Sequence, residues 1–114
     1  MEKYEKGDVI LVHWSGPAVG PRRPALVVSN GVLQGTDSAD VIIIPIRSDV
    51  SDNSKIVICK DTPAGRAAGL KLDSFIDCSV LATVPVNHVH GILGKMQTEV
   101  MAQVDEALRT VLQL

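Results

Sequence analysis

The chain has 114 residues, of which 46% are hydrophobic and 21% are charged, with one Trp, one Tyr and one Phe. This is the size of a single domain, residues 1–114, whose core is built from aliphatic side chains without help from disulfides or metal. The formal net charge of −2 argues against binding nucleic acid through bulk electrostatics, and it leaves room only for a local cationic site.

No part of the sequence has the roughly eighteen consecutive apolar residues of a membrane span. The opening residues, Met1 to Lys6, lack the apolar stretch of a signal peptide. We therefore expect a cytoplasmic protein that has no membrane association. Cys59 and Cys78 do not form a C-x-x-C arrangement, which predicts free buried thiols and neither a disulfide nor a zinc site.

The first half of the chain predicts three strands. Val9 to Trp14 alternates with apolar residues on both faces, which is typical of a buried strand. A loop rich in Gly and Pro, residues 15–21, leads to a second strand from Pro24 to Ser29, most simply as an antiparallel hairpin. After a polar surface connection, Val41 to Ile46 is predicted to be a central strand.

The second half predicts three further strands and a helix. The strands are Lys55 to Lys60, Leu72 to Cys78 and Val89 to Lys95, with a break at residues 61–65 and a corner at Pro85 and Asn87. From a predicted N-cap at Thr98, apolar residues recur at helical spacing on one face: Val100, Met101, Val104, Ala107, Leu108, Val111 and Leu112. Five or six strands of this length predict a mainly β domain, a small barrel with a C-terminal amphipathic helix.

Arg22 and Arg23 stand directly before the apolar run of the second strand. Arginine is always protonated and presents a rigid fork of donors that matches phosphate, so such a pair at the end of a rigid strand is suited to hold an oxyanion. Pro24 favours an extended backbone at Arg23, which orients that fork. The alternative is an ordinary solvated charge pair.

Three histidines and the only Trp are further candidates. His13 precedes Trp14 at the end of the first strand and has a pKa range suited to proton transfer, but it is also compatible with a half-buried strand residue. Trp14 could stack on an RNA base or serve as a core or dimer anchor. His88 and His90 would point to one side of an extended chain, yet no third ligand stands at a suitable spacing for zinc.

Several segments occur in the order found in the MazF/PemK toxin family. They are Gly7-Asp8-Val9-Ile10, the stretch from Arg22 to Asn30, Pro45-Ile46-Arg47-Ser48, Gly69-Leu70-Lys71 with Asp73-Ser74, and Gly94-Lys95 before the helix. The chain resembles this family along nearly its whole length. The resemblance implies an SH3-like barrel of five to seven strands, a homodimer, and a toxin that cleaves single-stranded mRNA until its cognate antitoxin blocks it.

The resemblance also implies a reaction without metal or cofactor, in which the 2′-hydroxyl attacks the adjacent phosphorus. The products are a cyclic phosphate and a free 5′-hydroxyl. Such a step needs a base for the 2′ proton, an acid for the leaving oxygen, and donors that stabilise the charge on the phosphorane.

Site residues follow from the same resemblance. Arg23 matches a catalytic position and would stabilise the phosphorane, and Ser48 matches a residue that approaches the scissile phosphate. Arg47 replaces a Thr of many relatives, so it is either a substitute phosphate donor or a salt-bridged surface residue. From their own chemistry, and not from the resemblance, Arg22, His13 and Trp14 are further candidates for RNA binding.

The fifth strand departs from the family pattern. Asp77 stands where relatives carry an Arg, and Ser79 stands where they carry an Asp. Asp77 could act as the base from this neighbouring position, with Ser79 contacting RNA, or it could cap the end of the strand. Two functions therefore stand: an endoribonuclease toxin, or a protein of the same fold that cleaves poorly and binds RNA or an antitoxin-like partner.

Overall fold

The computed structural model describes residues 4–13, 22–29, 40–49 and 56–114. These residues form seven strands, two α-helices and a 3-10 turn at Val86–His88. The elements in chain order are β1 (Asp8–His13), β2 (Arg22–Val27), β3 (Asp40–Arg47), β4 (Ile56–Ile58), α1 (Pro63–Ala68), β5 (Ser74–Ile76), β6 (Ala82–Pro85), β7 (Val89–Lys95) and α2 (Thr98–Leu112).

All strands belong to one antiparallel sheet in the order β4-β5-β3-β2-β1-β7. One edge of β3 is shared by two strands, because β6 pairs with its first half and β5 with its last residues. The mainly β class and the C-terminal helix are confirmed. The expected barrel differs in one respect: β4 and β7, the outer strands of this order, do not pair, so the sheet of the described residues stays open.

Both faces of the central strands are buried, as their apolar alternation predicts. Alternate residues of β1 to β3 enter two clusters, which we name the helix-side cluster and the far-side cluster. The helix-side cluster contains Val9, Leu26 and Ile44 with Val100 and Val104 of α2. The far-side cluster contains Ile10, Val12, Ala25, Val27, Val41 and Ile43. Strands buried on both faces in this way give the sheet a rigid centre.

The Gly7-Asp8 motif forms the turn that starts β1. Gly7 has a φ of 100°, a conformation that glycine adopts readily, and its N–H donates to the carbonyl of Val27 at 2.9 Å. The carboxylate of Asp8 is buried and accepts from the backbone N–H of Glu5 at 2.8 Å. Lys95 lies 3.6 Å from Asp8 and 3.1 Å from Glu5, and these carboxylates raise the pKa of Lys95. The motif therefore joins β1 to β2 and β7.

One helix lies where the sequence predicted only a break. The side chain of Thr62 accepts from the N–H of Gly65 at 3.2 Å, and Pro63 opens α1. Thr at the N-cap followed by Pro is a helix-start signal that the turn-like composition obscured. The helix ends at Gly69, whose φ of 73° is the usual left-handed cap.

The C-terminal helix begins one residue earlier than the predicted N-cap at Thr98 implies. Thr98 is its first helical residue, and Gln97 takes the N-cap position without a side-chain hydrogen bond. Val100 and Val104 are buried, whereas Val111 and Leu112 are 47% and 48% exposed, so the apolar face is covered only in its first turns. Within the described part of the chain, neither helix is long and apolar enough to cross a membrane.

Candidate active site

A cleft of about 870 Å³ opens where β2 begins and β3 ends. Its lining comes from widely separated parts of the chain: β1, the start of β2, the end of β3, the segment after α1, and β7. Leu11, Leu70 and Leu93 contribute apolar side chains to it. The cleft is therefore built by several elements of the described fold and not by one loop.

Basic side chains dominate the polar part of this cleft. Arg22, Arg23, Arg47 and Lys71 line it, and Asp49 is the carboxylate among the described residues that do so. All five side chains are exposed to solvent. A chain with a net charge of −2 thus concentrates positive charge in one concave place, which suits an anionic ligand.

The pairing of β2 with β3 brings the predicted residues together. The pairing ends at Ala25 and Pro45, and Arg22, Arg23, Arg47 and Ser48 lie just beyond this pair, where all four line the cleft. Because side chains alternate along β2, Arg22 falls on the face of the helix-side cluster and Arg23 falls on the other. The cleft mouth is therefore supplied with donors from both faces of the sheet.

Arg47 is held by two neighbours. Its guanidinium donates from Nε to one oxygen of Asp49 at 3.3 Å and from a terminal nitrogen to the other at 3.1 Å. The same group lies 5.8 Å from the ring centroid of Phe75, within the range of a cation–π contact. Of the two interpretations of Arg47, the salt-bridged one describes this geometry, although the residue also lines the cleft.

Asp77 and Ser79 are not among the residues that line the cleft. The carboxylate of Asp77 accepts from the backbone N–H of Ser79 at 3.1 Å and also from its hydroxyl, and the N–H of Val80 donates to the Asp77 carbonyl. These hydrogen bonds from Ser79, ahead of a weaker effect of Arg47, lower the pKa of Asp77. The geometry is that of a turn after β5, with Val80 reaching the cleft.

His13 lies beside the cleft. It pairs with Arg22 across β1 and β2, and its ring meets that of His90 edge to face with 4.3 Å between centroids. His88 belongs to the 3-10 turn and not to an extended strand, so the one-sided arrangement that an extended chain would give His88 and His90 does not apply. Trp14 lies outside the described residues.

Metal ligands and thiols add little to the site. In the described ranges no group of three or more His, Cys, Asp or Glu side chains is placed to hold a metal ion. Both cysteines are free. Cys78 is buried, and burial raises the pKa of its thiol, whereas Cys59 is exposed, contrary to expectation.

Sequence reasoning missed three side chains of this region. Lys71 belongs to a motif noted for the resemblance, and its charge two residues after Gly69 could have marked it as a lining residue. Asp49 was included in a polar turn, and only the structure shows its pairing with Arg47. His90 was considered only as a metal ligand, because its contact with His13 joins strands far apart in sequence.

Comparison with known proteins places the chain in a family. The sequence matches the family described as PemK-like, MazF-like toxin of type II toxin-antitoxin system over residues 5–112. No curated protein matches it.

Solved structures of the same fold include the MazE–MazF complex of Deinococcus radiodurans, with a TM-score of 0.77 at 20% identity over 99% of both chains. An endoribonuclease in complex with its cognate antitoxin from a mycobacterial species has a TM-score of 0.75 at 19% identity, covering 100% of this chain and 97% of that one. The Mycobacterium tuberculosis toxin MazF-mt6 has a TM-score of 0.73 at 18% identity, covering 94% and 97%.

Proposed function

This chain belongs to the PemK-like, MazF-like toxins of type II toxin-antitoxin systems, and we propose that it is an endoribonuclease that cleaves single-stranded RNA without a metal ion. The observation that carries the proposal is the cationic cleft at the start of β2, where Arg22 and Arg23 line a concave surface. RNA offers phosphodiesters to such a surface, and a single strand can bend into it where a duplex cannot.

Arg23 is the proposed catalytic residue. The attack of the 2′-oxygen on phosphorus places growing negative charge on the phosphorane oxygens, and fixed donors aimed at that charge lower the barrier. Arg23 lies at the start of a strand that continues into the buried Ala25 and Leu26, so its backbone is rigidly held. Ser48, on the neighbouring strand end, would donate a hydrogen bond to the same phosphate, and Arg22 and Lys71 would hold the flanking backbone.

Asp77 and Ser79 take a different role in this proposal. Asp77 lies away from the cleft lining and its carboxylate is engaged by Ser79, so we assign the pair to the turn that carries Val80 into the cleft. A carboxylate with a lowered pKa is also a poor base, because it holds a proton weakly. An Asp77→Asn variant tests this assignment, as described in the Discussion.

The proposed partner is a cognate antitoxin. The mycobacterial endoribonuclease was solved in complex with its cognate antitoxin, and MazF of Deinococcus radiodurans was solved together with MazE. A cleft that takes RNA phosphates can also take an acidic polypeptide segment, so an antitoxin could inhibit by occupying the same charges. We further propose a single cytoplasmic domain that acts as a homodimer, on the family resemblance.

The test is incubation of the purified protein with a long unstructured RNA in EDTA. We expect discrete fragments with 5′-hydroxyl ends, and a loss of about 10²-fold to 10³-fold in rate for Arg23→Ala, the usual effect of removing one oxyanion donor. Arg109→Ala is the matched control, because Arg109 is an exposed arginine on α2 that is paired with Glu106. Intact RNA with a protein that still binds it would instead support the alternative of a poorly cleaving RNA-binding protein.

A further inference from the structure

Two of the leucines that line the cleft are exposed to solvent. Leu72 lies between α1 and β5 and is 59% exposed, and Leu93 of β7 is 37% exposed. Single exposed apolar residues are common on protein surfaces, but apolar side chains that share a concave surface with a few polar groups are typical of a binding site. We name Leu72 and Leu93 the leucine pair.

The backbone that carries the leucine pair is held in place. An added Cβ at Gly69 would lie 2.3 Å from the carbonyl oxygen of Leu93, so the segment that leads to Leu72 starts directly against β7. The carbonyl of Leu72 accepts from the hydroxyl of Ser74 at 2.7 Å, and the carboxylate of Asp73 accepts from a backbone N–H ahead of α1 at 2.9 Å. The exposed side chains thus project from a fixed backbone, so packing a ligand against them costs little conformational entropy in the protein.

The leucine pair lies beside positive charge. Lys71 directly precedes Leu72 in the chain and lines the same cleft, together with Arg22 and Arg23. A nucleotide has the matching chemistry, because one sugar joins a charged phosphate to a base with two apolar faces. A phosphate held by Lys71 would therefore bring the base of its own nucleotide toward the leucine pair.

We propose that Leu72 and Leu93 form a nucleobase-binding site in the cleft, where the face of one unpaired RNA base packs against both leucines while Lys71 holds the phosphate. The inference rests on the proposed function, because it requires that the cleft bind RNA. It adds a contact to a base, whereas the proposed function uses the cations for the phosphates alone. A base in a duplex keeps its faces stacked on its neighbours, so this site favours single strands.

The contact is aliphatic, and this sets its size. Among the described residues that line the cleft none is aromatic. Stacking of a base on an aromatic ring corresponds to about 1 to 3 kcal/mol by alanine substitution, which is about fivefold to 150-fold in Kd. Truncation of one half-covered leucine removes less contact area, so we expect a loss of about threefold to tenfold.

The experiment compares two probes of equal charge. One is a short fluorescent 2′-O-methyl oligoribonucleotide of mixed sequence, which has no free 2′-hydroxyl and is not cut, and the other is the same chain without its bases. Fluorescence anisotropy gives the Kd of each probe. We expect Leu72→Ala to weaken binding of the base-bearing probe about threefold to tenfold and to leave the Kd of the base-free probe unchanged. The difference between the two losses isolates the contact between Leu72 and a base.

Three further variants make the comparison specific. Ile92→Ala is the matched control, because Ile92 is 57% exposed on β7 and is not among the residues that line the cleft. Leu72→Met should keep the affinity of the wild type, because Met has a similar apolar volume. Lys71→Gln should weaken both probes and reduce the slope of log affinity against log salt by about 0.7, whereas Leu72→Ala should leave that slope unchanged. Thermal melting of each variant shows whether it is folded.

The possible failures are distinguishable. If Leu72→Ala weakens both probes equally or neither of them, or if Ile92→Ala has the same effect as Leu72→Ala, the nucleobase site is wrong and the proposed function still stands. The leucine pair would then serve another ligand, such as an apolar side chain of a protein partner. If the wild type binds neither probe and long RNA stays intact in the cleavage assay, the proposed function fails and this inference fails with it.

Discussion

Arg47 and Asp49 form a two-point ion pair at the mouth of the cleft, with nitrogen to oxygen distances of 3.1 and 3.3 Å. Both side chains are exposed, at 49% and 66%, so the pair adds little to the stability of the fold. The pair instead limits how well Arg47 can bind another anion, because a guanidinium that donates to Asp49 has fewer N–H groups left for a phosphate. The positive charge of Arg47 at the cleft is thus partly neutralised by Asp49.

Asp49→Asn should therefore strengthen RNA binding. Removing the carboxylate charge frees Arg47 and also removes a repulsion toward phosphate, and an exposed pair of this kind corresponds to about twofold to fivefold in Kd. Fluorescence anisotropy measures the Kd with a short labelled 2′-O-methyl oligoribonucleotide, which has no free 2′-hydroxyl and is not cut. Glu106→Gln is the matched control, since it breaks a similar exposed pair with Arg109 at 3.3 Å on α2 and should leave Kd unchanged. An unchanged or weaker affinity of Asp49→Asn would show that Arg47 does not contact RNA.

Asp77→Asn should leave the cleavage rate within about threefold of the wild type, because Asp77 lies outside the cleft lining and holds a turn. A general base would instead cost about 10² to 10⁴ in rate. Ser48→Ala, measured in the same assay, should lower the cleavage rate more than Asp77→Asn does. A larger loss for Asp77→Asn than for Ser48→Ala would assign the base to Asp77.

The same variant has a pH signature in stability. Ser79 lowers the pKa of Asp77 below its ordinary value of 3.8, so the ionised carboxylate stabilises the folded state above that value, and this contribution is lost as the pH falls through the lower folded pKa. We expect the free energies of unfolding of the wild type and Asp77→Asn to differ at about pH 6 and to converge in acid. Urea titrations at both pH values measure this, and a gap that persists in acid would contradict the assignment.

Gly94→Ala should shift the position of α1 relative to the cleft. An added Cβ at Gly94 would lie 2.2 Å from the carbonyl oxygen of Ala67, so α1 and the lining segment after it must shift. Overpacking of this kind costs about 1 to 3 kcal/mol in the free energy of unfolding. We expect both a lower midpoint of chemical denaturation and slower RNA cleavage.

The control for this substitution is Ala102→Gly, on the exposed side of α2. A glycine in a helix interior costs about 1 kcal/mol, which lowers stability without touching the cleft lining. Its cleavage rate below the melting temperature should equal that of the wild type. Equal losses of cleavage in both variants would mean that stability alone, and not the position of α1, limits the reaction.

The central strands could be predicted from the sequence because their burial produces an apolar pattern within a few neighbouring residues. Val9, Ile10 and Val12 alternate between two buried faces, so their strand is visible in the sequence, and the same holds for the strand that includes Leu26. Arg23 was found because a charged residue that directly precedes such a strand must lie at its end. These features depend on neighbours within a few residues.

Features that depend on distant partners were not visible. The six-residue α1 is too short for a helical repeat, and its position depends on close contact with Gly94 of β7. The sharing of one β3 edge by β5 and β6 is decided by packing and not by the composition of either strand. For the same reason the pairing of His13 with His90, and the placement of Asp77 outside the cleft lining, could not be derived from spacing.

The first strand of the described fold, β1, is completed on one side by its last strand, β7. Asp8 pairs with Lys95 and Val9 with Gly94, so the partner of β1 on that side is absent until the ribosome has added most of the chain. Leu93 of the same late strand also lines the cleft. A nascent chain that still lacks β7 therefore has no complete cleft, and a ligand of the cleft can find its full binding surface only after this strand has been made.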